Sequence, residues 1–163
     1  MNQEFFKKNY FELLGFPMSF EINQDKLKEN FRQLQRVVHP DRHANKTDQE
    51  KRLAMQMAGH LNTAFETLTS PVNRAAYLLS LENMPVDFET NTSMAPEFLM
   101  EQFEIRERIA EKDTMVRAEI EQKRSQLILA LADCFSDSHQ DLTAAVEKTR
   151  QLKFYDKLLK ELT

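Results

Sequence analysis

Glycine and proline are scarce in this sequence, with two and five occurrences in 163 residues. Because turns between strands depend on these residues, their scarcity favours long helices over a sheet-rich fold. Cysteine occurs once, at Cys134, so the chain cannot form an internal disulfide or a cysteine-based zinc or iron–sulfur site. The composition therefore predicts an all-α protein in its reduced form.

Long apolar runs are also missing. The longest, over 127–132, is far shorter than the roughly 20 residues that cross a bilayer. The first four residues have neither the basic nor the apolar region of a signal peptide. We therefore expect a soluble cytoplasmic protein with no membrane partner.

The chain has no excess of basic charge. Its net charge of −4 disfavours a nucleic-acid partner. The charge is unevenly distributed: residues 1–77 carry eleven Lys and Arg against nine Asp and Glu, a net of +2, and residues 78–163 carry eleven against seventeen, a net of −6. Two halves of opposite sign suggest two surfaces with different partners.

The sequence of the first half of the chain predicts four helices, and three of them begin at a capping residue. The first helix, over 10–14, ends at Gly15, and the second ends as the chain approaches Pro40. The three caps are Asn23, Thr47 in a capping box with Glu50, and Ser70 followed by Pro71.

The second helix has an apolar face and a basic face. At about 100° per residue, its basic side chains fall opposite its apolar ones. The apolar set is Leu27, Phe31, Leu34 and Val38, and the basic set is Lys28, Arg32 and Arg36.

Residues 82–96 have the polar, proline-containing composition of a linker. Three further amphipathic helices are predicted after it, over about 97–112, 114–136 and 141–162. Short connections between them indicate an antiparallel three-helix bundle.

The tripeptide His39-Pro40-Asp41 lies in the loop between the second and third helices, and in this setting residues 8–78 resemble a J-domain. The resemblance implies a stimulator of the ATPase of a DnaK-type chaperone, and not an enzyme. The chaperone-binding residues that it implies are His39, Pro40, Asp41, Lys28, Arg32 and Arg36.

Ordinary J-proteins continue into glycine-rich or cysteine-rich segments, which this chain lacks. Residues 74–81, 98–102 and 152–158 instead resemble the HscB family, the J-type co-chaperones of iron–sulfur cluster assembly. Eukaryotic members carry a cysteine-pair zinc module, so this chain is more similar to the bacterial ones. The resemblance implies an HscA-type chaperone and an IscU-type scaffold as partners. It also implies a J-domain over 1–81, a linker over 82–96 and a client-binding domain over 97–163.

The helix predicted over 97–112 has two unlike faces. Phe98, Ile105 and Ile109 form its core stripe. Other apolar side chains and carboxylates point away from that stripe, and the last helix adds an exposed phenylalanine. The resemblance assigns this set to scaffold binding: Leu99, Met100, Phe103, Glu104, Glu107, Glu111 and Phe154. The residues alone leave open packing against the J-domain or pairing in a homodimer.

Three other functions compete with this interpretation. The first is a general J-protein that serves a DnaK-type chaperone with other clients. The second is a helical nucleic-acid binder, which the acidic total opposes. The third is a metalloenzyme, for which His39 and His43 lack a third ligand nearby. No metal site and no cofactor are predicted.

Overall fold

The computed structural model describes residues 2–39, 46–89 and 94–162. Regular structure within these ranges is helical throughout, which confirms the all-α prediction. The helices of the described residues are, in chain order, α1 (Asn2–Lys7), α2 (Tyr10–Leu13), α3 (Gln24–Val38), α4 (Asp48–Thr69), α5 (Pro71–Leu81), α6 (Pro96–Ala110), α7 (Val116–Phe135) and α8 (Leu142–Glu161). The short helix α1 is an addition to the predicted set.

The chain divides into two compact units, Met1–Arg74 and Ala75–Thr163. This division lies inside α5, whereas the sequence predicts a first domain that ends at residue 81. The described residues between α5 and α6, namely 82–89 and 94–95, contain neither helix nor strand. The domain boundaries at 81 and 97 stay a prediction.

The first unit is built on the packing of α3 against α4, with α1 and α2 also packed on α4. Phe31 of α3 stacks on Phe65 of α4, with ring centroids 4.1 Å apart. The largest side chains that are fully buried in this unit are Phe11, Leu14, Leu27, Leu61 and Leu68. The two helices that flank the His-Pro-Asp tripeptide in the sequence, α3 and α4, therefore pack together as a helical hairpin.

Local capping contacts set the ends of these helices as the sequence predicts. The side chains of Asn23, Thr47 and Ser70 each accept a hydrogen bond from the backbone N–H three residues later, at 3.1, 3.2 and 3.3 Å. The Thr47 hydroxyl also donates to the Glu50 carboxylate. Gly15 adopts φ 81°, a left-handed conformation that often ends a helix and that glycine adopts more easily than other residues.

Arg74, in α5, is the last residue of the first unit and is buried. Its guanidinium donates to the carbonyl oxygens of Phe20 and Leu68 and lies 5.0 Å from the centre of the Phe20 ring. Burial lowers the pKa of Arg74 to about 10. This charged side chain therefore satisfies two carbonyls that are otherwise shielded from water.

Replacing Arg74 with Met is expected to destabilise the first unit by about 2–4 kcal/mol, because two carbonyl groups lose their donors. Urea denaturation followed by circular dichroism measures this loss. Arg52→Met on the exposed face of α4 is the matched control and should cost less than about 0.5 kcal/mol. Equal midpoints for the two variants would contradict the structural role of Arg74.

The second unit is an antiparallel three-helix bundle. Its core brings together Phe98 and Ile105 of α6, Val116 and Ile120 of α7, and Tyr155 and Leu158 of α8. Arg117, at the start of α7, donates to the backbone carbonyl of Leu162, just past the end of α8, and Arg124 pairs with Asp156 further along, so α7 and α8 run in opposite directions. The most extensive packing is between α7 and α8, and α6 lies against both.

Candidate interaction surfaces

The end of α3 carries the first of the predicted site residues. Val38 is buried and anchors the last turn of the helix in the core. His39 follows as the C-terminal cap and is exposed. Pro40, Asp41 and His43 lie outside the described residues.

The basic face of α3, formed by Lys28, Arg32 and Arg36, is exposed along its length. None of these three cations forms an ion pair with another described residue. Arg32 and Arg36 also line a shallow depression together with His39. The basic face is therefore continuous with His39, the first residue of the tripeptide.

The outer face of α6 exposes three large apolar side chains. Leu99 is 41% exposed, and Met100 and Phe103 are each 61% exposed. On the other side of the same helix, Phe98 and Ile105 are buried in the core. One helix therefore has a buried face and an exposed apolar face, as the helical periodicity predicts.

Three carboxylates continue this outer face toward the C-terminal end of α6. Glu104 and Glu107 are exposed on the helix. Glu111 is exposed one residue beyond Ala110, as the C-terminal cap. The outer face therefore changes from apolar to acidic along its length.

The sequence predicts that Phe154 is exposed on α8, and the structure corrects this. Phe154 is half-buried, and its ring packs edge-on against Phe98, with centroids 5.6 Å apart. The Arg106 guanidinium lies 5.6 Å from the centre of the same ring. Helical position alone placed Phe154 away from Leu152, but α6 covers part of that side of α8.

Glu101 holds α6 on the other two helices and was not among the residues predicted from the sequence. Its carboxylate accepts a hydrogen bond from the Tyr155 hydroxyl at 2.9 Å and pairs with Lys123 of α7. Burial raises the pKa of Tyr155 to about 12, so this hydroxyl stays a donor at neutral pH. The residue beside Met100 is thereby held by both α7 and α8.

A second charged cluster joins the far end of α6 to α7. Arg108 donates to Asp113 at 2.8 Å and to Glu119 at 2.5 Å. The Met115 backbone N–H and Arg108 lower the pKa of Asp113, and Arg108 lowers the pKa of Glu119. Both ends of α6 are therefore fixed by charged contacts to α7.

The described residues offer little for metal or thiol chemistry. They contain no group of three or more His, Cys, Asp or Glu that could hold a metal ion. Cys134 is a buried free thiol, and burial raises its pKa, which disfavours the reactive thiolate. Within the same residues, every helix is too short or too polar to span a lipid bilayer.

Comparison with known proteins assigns a family to each unit. A profile described as the DnaJ domain matches residues 9–77, and one described as the HSCB C-terminal oligomerisation domain matches residues 94–163. A co-chaperone protein HscB homolog from Bordetella avium is 41% identical over 160 residues, which cover 94% of this chain and 95% of that protein. The chain belongs to the HscB family.

Solved HscB structures have the same fold. The chaperone HscB from Vibrio cholerae is 32% identical and gives a TM-score of 0.83 over 94% of each chain. The human co-chaperone protein HscB is 26% identical and gives a TM-score of 0.90, over 95% of this chain and 80% of that one. The HscB resemblance drawn from the sequence is therefore confirmed.

Members of the HscB family are J-type co-chaperones of iron–sulfur cluster assembly. Their J-domain implies an ATPase chaperone of the Hsp70 type as the partner. The family is one of co-chaperones, which assist another protein's activity.

Proposed function

We propose that this HscB family member binds two proteins at once. Its J-domain binds and stimulates an HscA-type chaperone, and its second unit presents an IscU-type scaffold to that chaperone. Holding both raises the effective concentration of the scaffold beside the chaperone, which couples ATP hydrolysis to one client. The hydrolysis itself belongs to the chaperone. As the composition predicts, we place this activity in the cytoplasm.

The main support for scaffold binding by the second unit is the exposed apolar triplet of α6, which consists of Leu99, Met100 and Phe103. A contiguous apolar patch on a protein surface usually marks an interaction site. The flexible Met100 side chain can adapt to a partner. The carboxylates of Glu104 and Glu107 supply the polar rim that surrounds the apolar centre of most interfaces.

The basic face of α3 supports the chaperone-binding half. Among the described residues, Lys28, Arg32 and Arg36 have no carboxylate partner, and such cations attract an acidic surface and speed its association. Asp41 follows α3 in the sequence, and its carboxylate is suited to a bidentate bond with an arginine of the chaperone. We assign His39 and Pro40 to the same contact.

Steady-state ATPase assays on purified chaperones test the proposal. We expect the full chain to stimulate an HscA-type chaperone more than a general DnaK-type chaperone. We also expect an added IscU-type scaffold to increase that stimulation further. Stimulation of the general chaperone alone, without an effect of the scaffold, would instead support a general J-protein with other clients.

Reversing the charge of the basic face is expected to weaken chaperone docking by about tenfold or more. The variant is Arg32→Glu with Arg36→Glu, and the apparent affinity is taken from ATPase titrations at several salt concentrations. For the parent, affinity should fall as salt rises past about 0.1 M, where screening acts within roughly 10 Å. The variant should lose most of this salt dependence.

The matched control reverses two exposed lysines of the same unit, Lys7→Glu with Lys8→Glu, and changes the net charge equally. Both double variants should keep the thermal midpoint close to that of the parent. If docking and its salt dependence are the same in all three proteins, the basic face of α3 is merely solvated surface.

Self-association is a second candidate use of the outer face of α6. The description of the C-terminal profile as an oligomerisation domain favours it. Sedimentation equilibrium over a wide range of protein concentration distinguishes the two uses. An oligomer that dissociates when Leu99, Met100 and Phe103 are replaced with Ala would assign the face to self-association. A parent protein that stays monomeric at every concentration would instead support scaffold binding by this face.

A further inference from the structure

A basic pocket lies in the second unit, between α6, α8 and the segment 87–89. We define this basic pocket by four cations and two aromatic rings: Arg106, Arg150, Lys153, Lys157, Phe88 and Phe154. The three cations of α8 stand at positions i, i+3 and i+7, which places them on one face of the helix. Arg106 reaches the same pocket from α6.

The charge of the basic pocket is opposite to that of the surrounding half of the chain. Residues 78–163 carry a net charge of −6. The lining of the pocket holds four cations against two carboxylates, those of Asp87 and Glu89. Within an acidic half, such a local excess of positive charge indicates a surface that receives an anionic group.

Aromatic rings contact two of these cations, and one of the two also has a carboxylate partner. The Lys153 ammonium lies 5.4 Å from the centre of the Phe88 ring, and Arg106 lies over Phe154 and pairs with Glu161 at 3.7 Å. Among the described residues, neither Lys153 nor Lys157 is paired with a carboxylate. Their charge is therefore available to a ligand.

The basic pocket is continuous with the outer face of α6. At about 100° per residue, Arg106 lies about 20° around the helix from Leu99 and about 60° from Phe103. Phe154 belongs to the pocket and also packs on α6. The carboxylate of Glu104 lies on the other side of the apolar triplet, about 40° beyond Met100. The triplet thus has an acidic edge and a basic edge.

We propose that the basic pocket binds an acidic segment of the same scaffold protein whose apolar surface covers Leu99 and Phe103. The inference rests on the proposed function, because it names the charge pattern that this client must present. Carboxylates of the client enter the pocket, and a basic group of the client meets the acidic edge at Glu104. Opposite charges on the two edges admit the client in one orientation and reject the reversed one.

The test measures binding of an IscU-type scaffold to the full chain by surface plasmon resonance at several salt concentrations. Lys153→Glu with Lys157→Glu should weaken the affinity by about tenfold or more, mostly through a slower on-rate, and should reduce the salt dependence. Lys153→Gln with Lys157→Gln should have a smaller effect in the same direction. Both lysines are exposed, so circular dichroism melts should match the parent.

The control is Lys7→Glu with Lys8→Glu, which changes the net charge equally in the first unit and should alter the affinity less than twofold. The pocket variant, Lys153→Glu with Lys157→Glu, is compared with this control. If both bind the scaffold equally well while alanine at Leu99, Met100 and Phe103 abolishes scaffold binding, the pocket inference is wrong and the proposed function stands. If the parent itself binds no scaffold, both are wrong.

Inorganic pyrophosphate is titrated as a separate probe. Loss of its binding in the pocket variant, with scaffold binding unchanged, would make the pocket a small-anion site and overturn the inference.

Discussion

An Asp41→Asn variant is expected to stimulate the chaperone ATPase barely above its basal rate, while it binds the scaffold as tightly as the parent does. The substitution keeps the shape of the side chain and removes its charge. An amide cannot offer the two charged acceptor oxygens that form a bidentate bond with an arginine. Steady-state ATP hydrolysis, measured over a range of co-chaperone concentrations, gives the stimulation directly.

The control for Asp41→Asn is Asp48→Asn, the same chemical change at an exposed carboxylate in the first turn of α4. It should keep nearly full stimulation, because this side chain only contributes a favourable charge at the start of its helix. An Asp41→Asn protein that stimulates as well as the parent would exclude chaperone docking through the loop.

Replacing Leu99, Met100 and Phe103 together with Ala is expected to abolish scaffold binding and to leave the fold nearly as stable as before. Apolar anchors at the centre of an interface cost about 1–4 kcal/mol each when truncated. The three side chains are exposed in the free chain, so their removal leaves no cavity. A binding titration beside a thermal melt measures both effects.

The converse change lies on the core side of the same helix. Ile105→Ala should cost about 2–5 kcal/mol of stability, because it leaves a cavity among buried side chains.

Met115→Ala with Leu129→Ala is the control for the triplet, since both side chains are large, apolar and exposed elsewhere in the second unit. It should leave scaffold binding unchanged. A triple variant that melts far below this control would show that the triplet belongs to the fold.

The sequence predicted those elements that local interactions determine. The caps at Asn23, Thr47 and Ser70 involve residues only three positions apart, so their signals are visible without a tertiary structure. The two faces of α6 follow in the same way from helical periodicity, because Phe98 and Ile105 lie on one side of the helix.

Tertiary contacts explain what the sequence analysis missed. Helix α1 is only six residues long, and its aromatic side chains Phe5 and Phe6 pack on His60 of α4, a contact that local patterns do not reveal. Likewise, Phe154 loses part of its exposure to a neighbouring helix, and Glu101 finds its partners on two other helices. The only local signal for Glu101 was its place between the buried and exposed faces of α6.

The hydrogen bonds of Arg74 set an order for the folding of the chain as it is synthesised. The bond from Arg74 to Phe20 joins residues 54 positions apart, and Arg74 is the last residue of the first unit. While the ribosome still holds residue 74, the carbonyls of Phe20 and Leu68 lack this donor. Domains generally fold one after another from the N-terminus during synthesis. The last bonds of the first unit can therefore form as soon as Arg74 emerges from the ribosome, before any helix of the three-helix bundle has fully emerged.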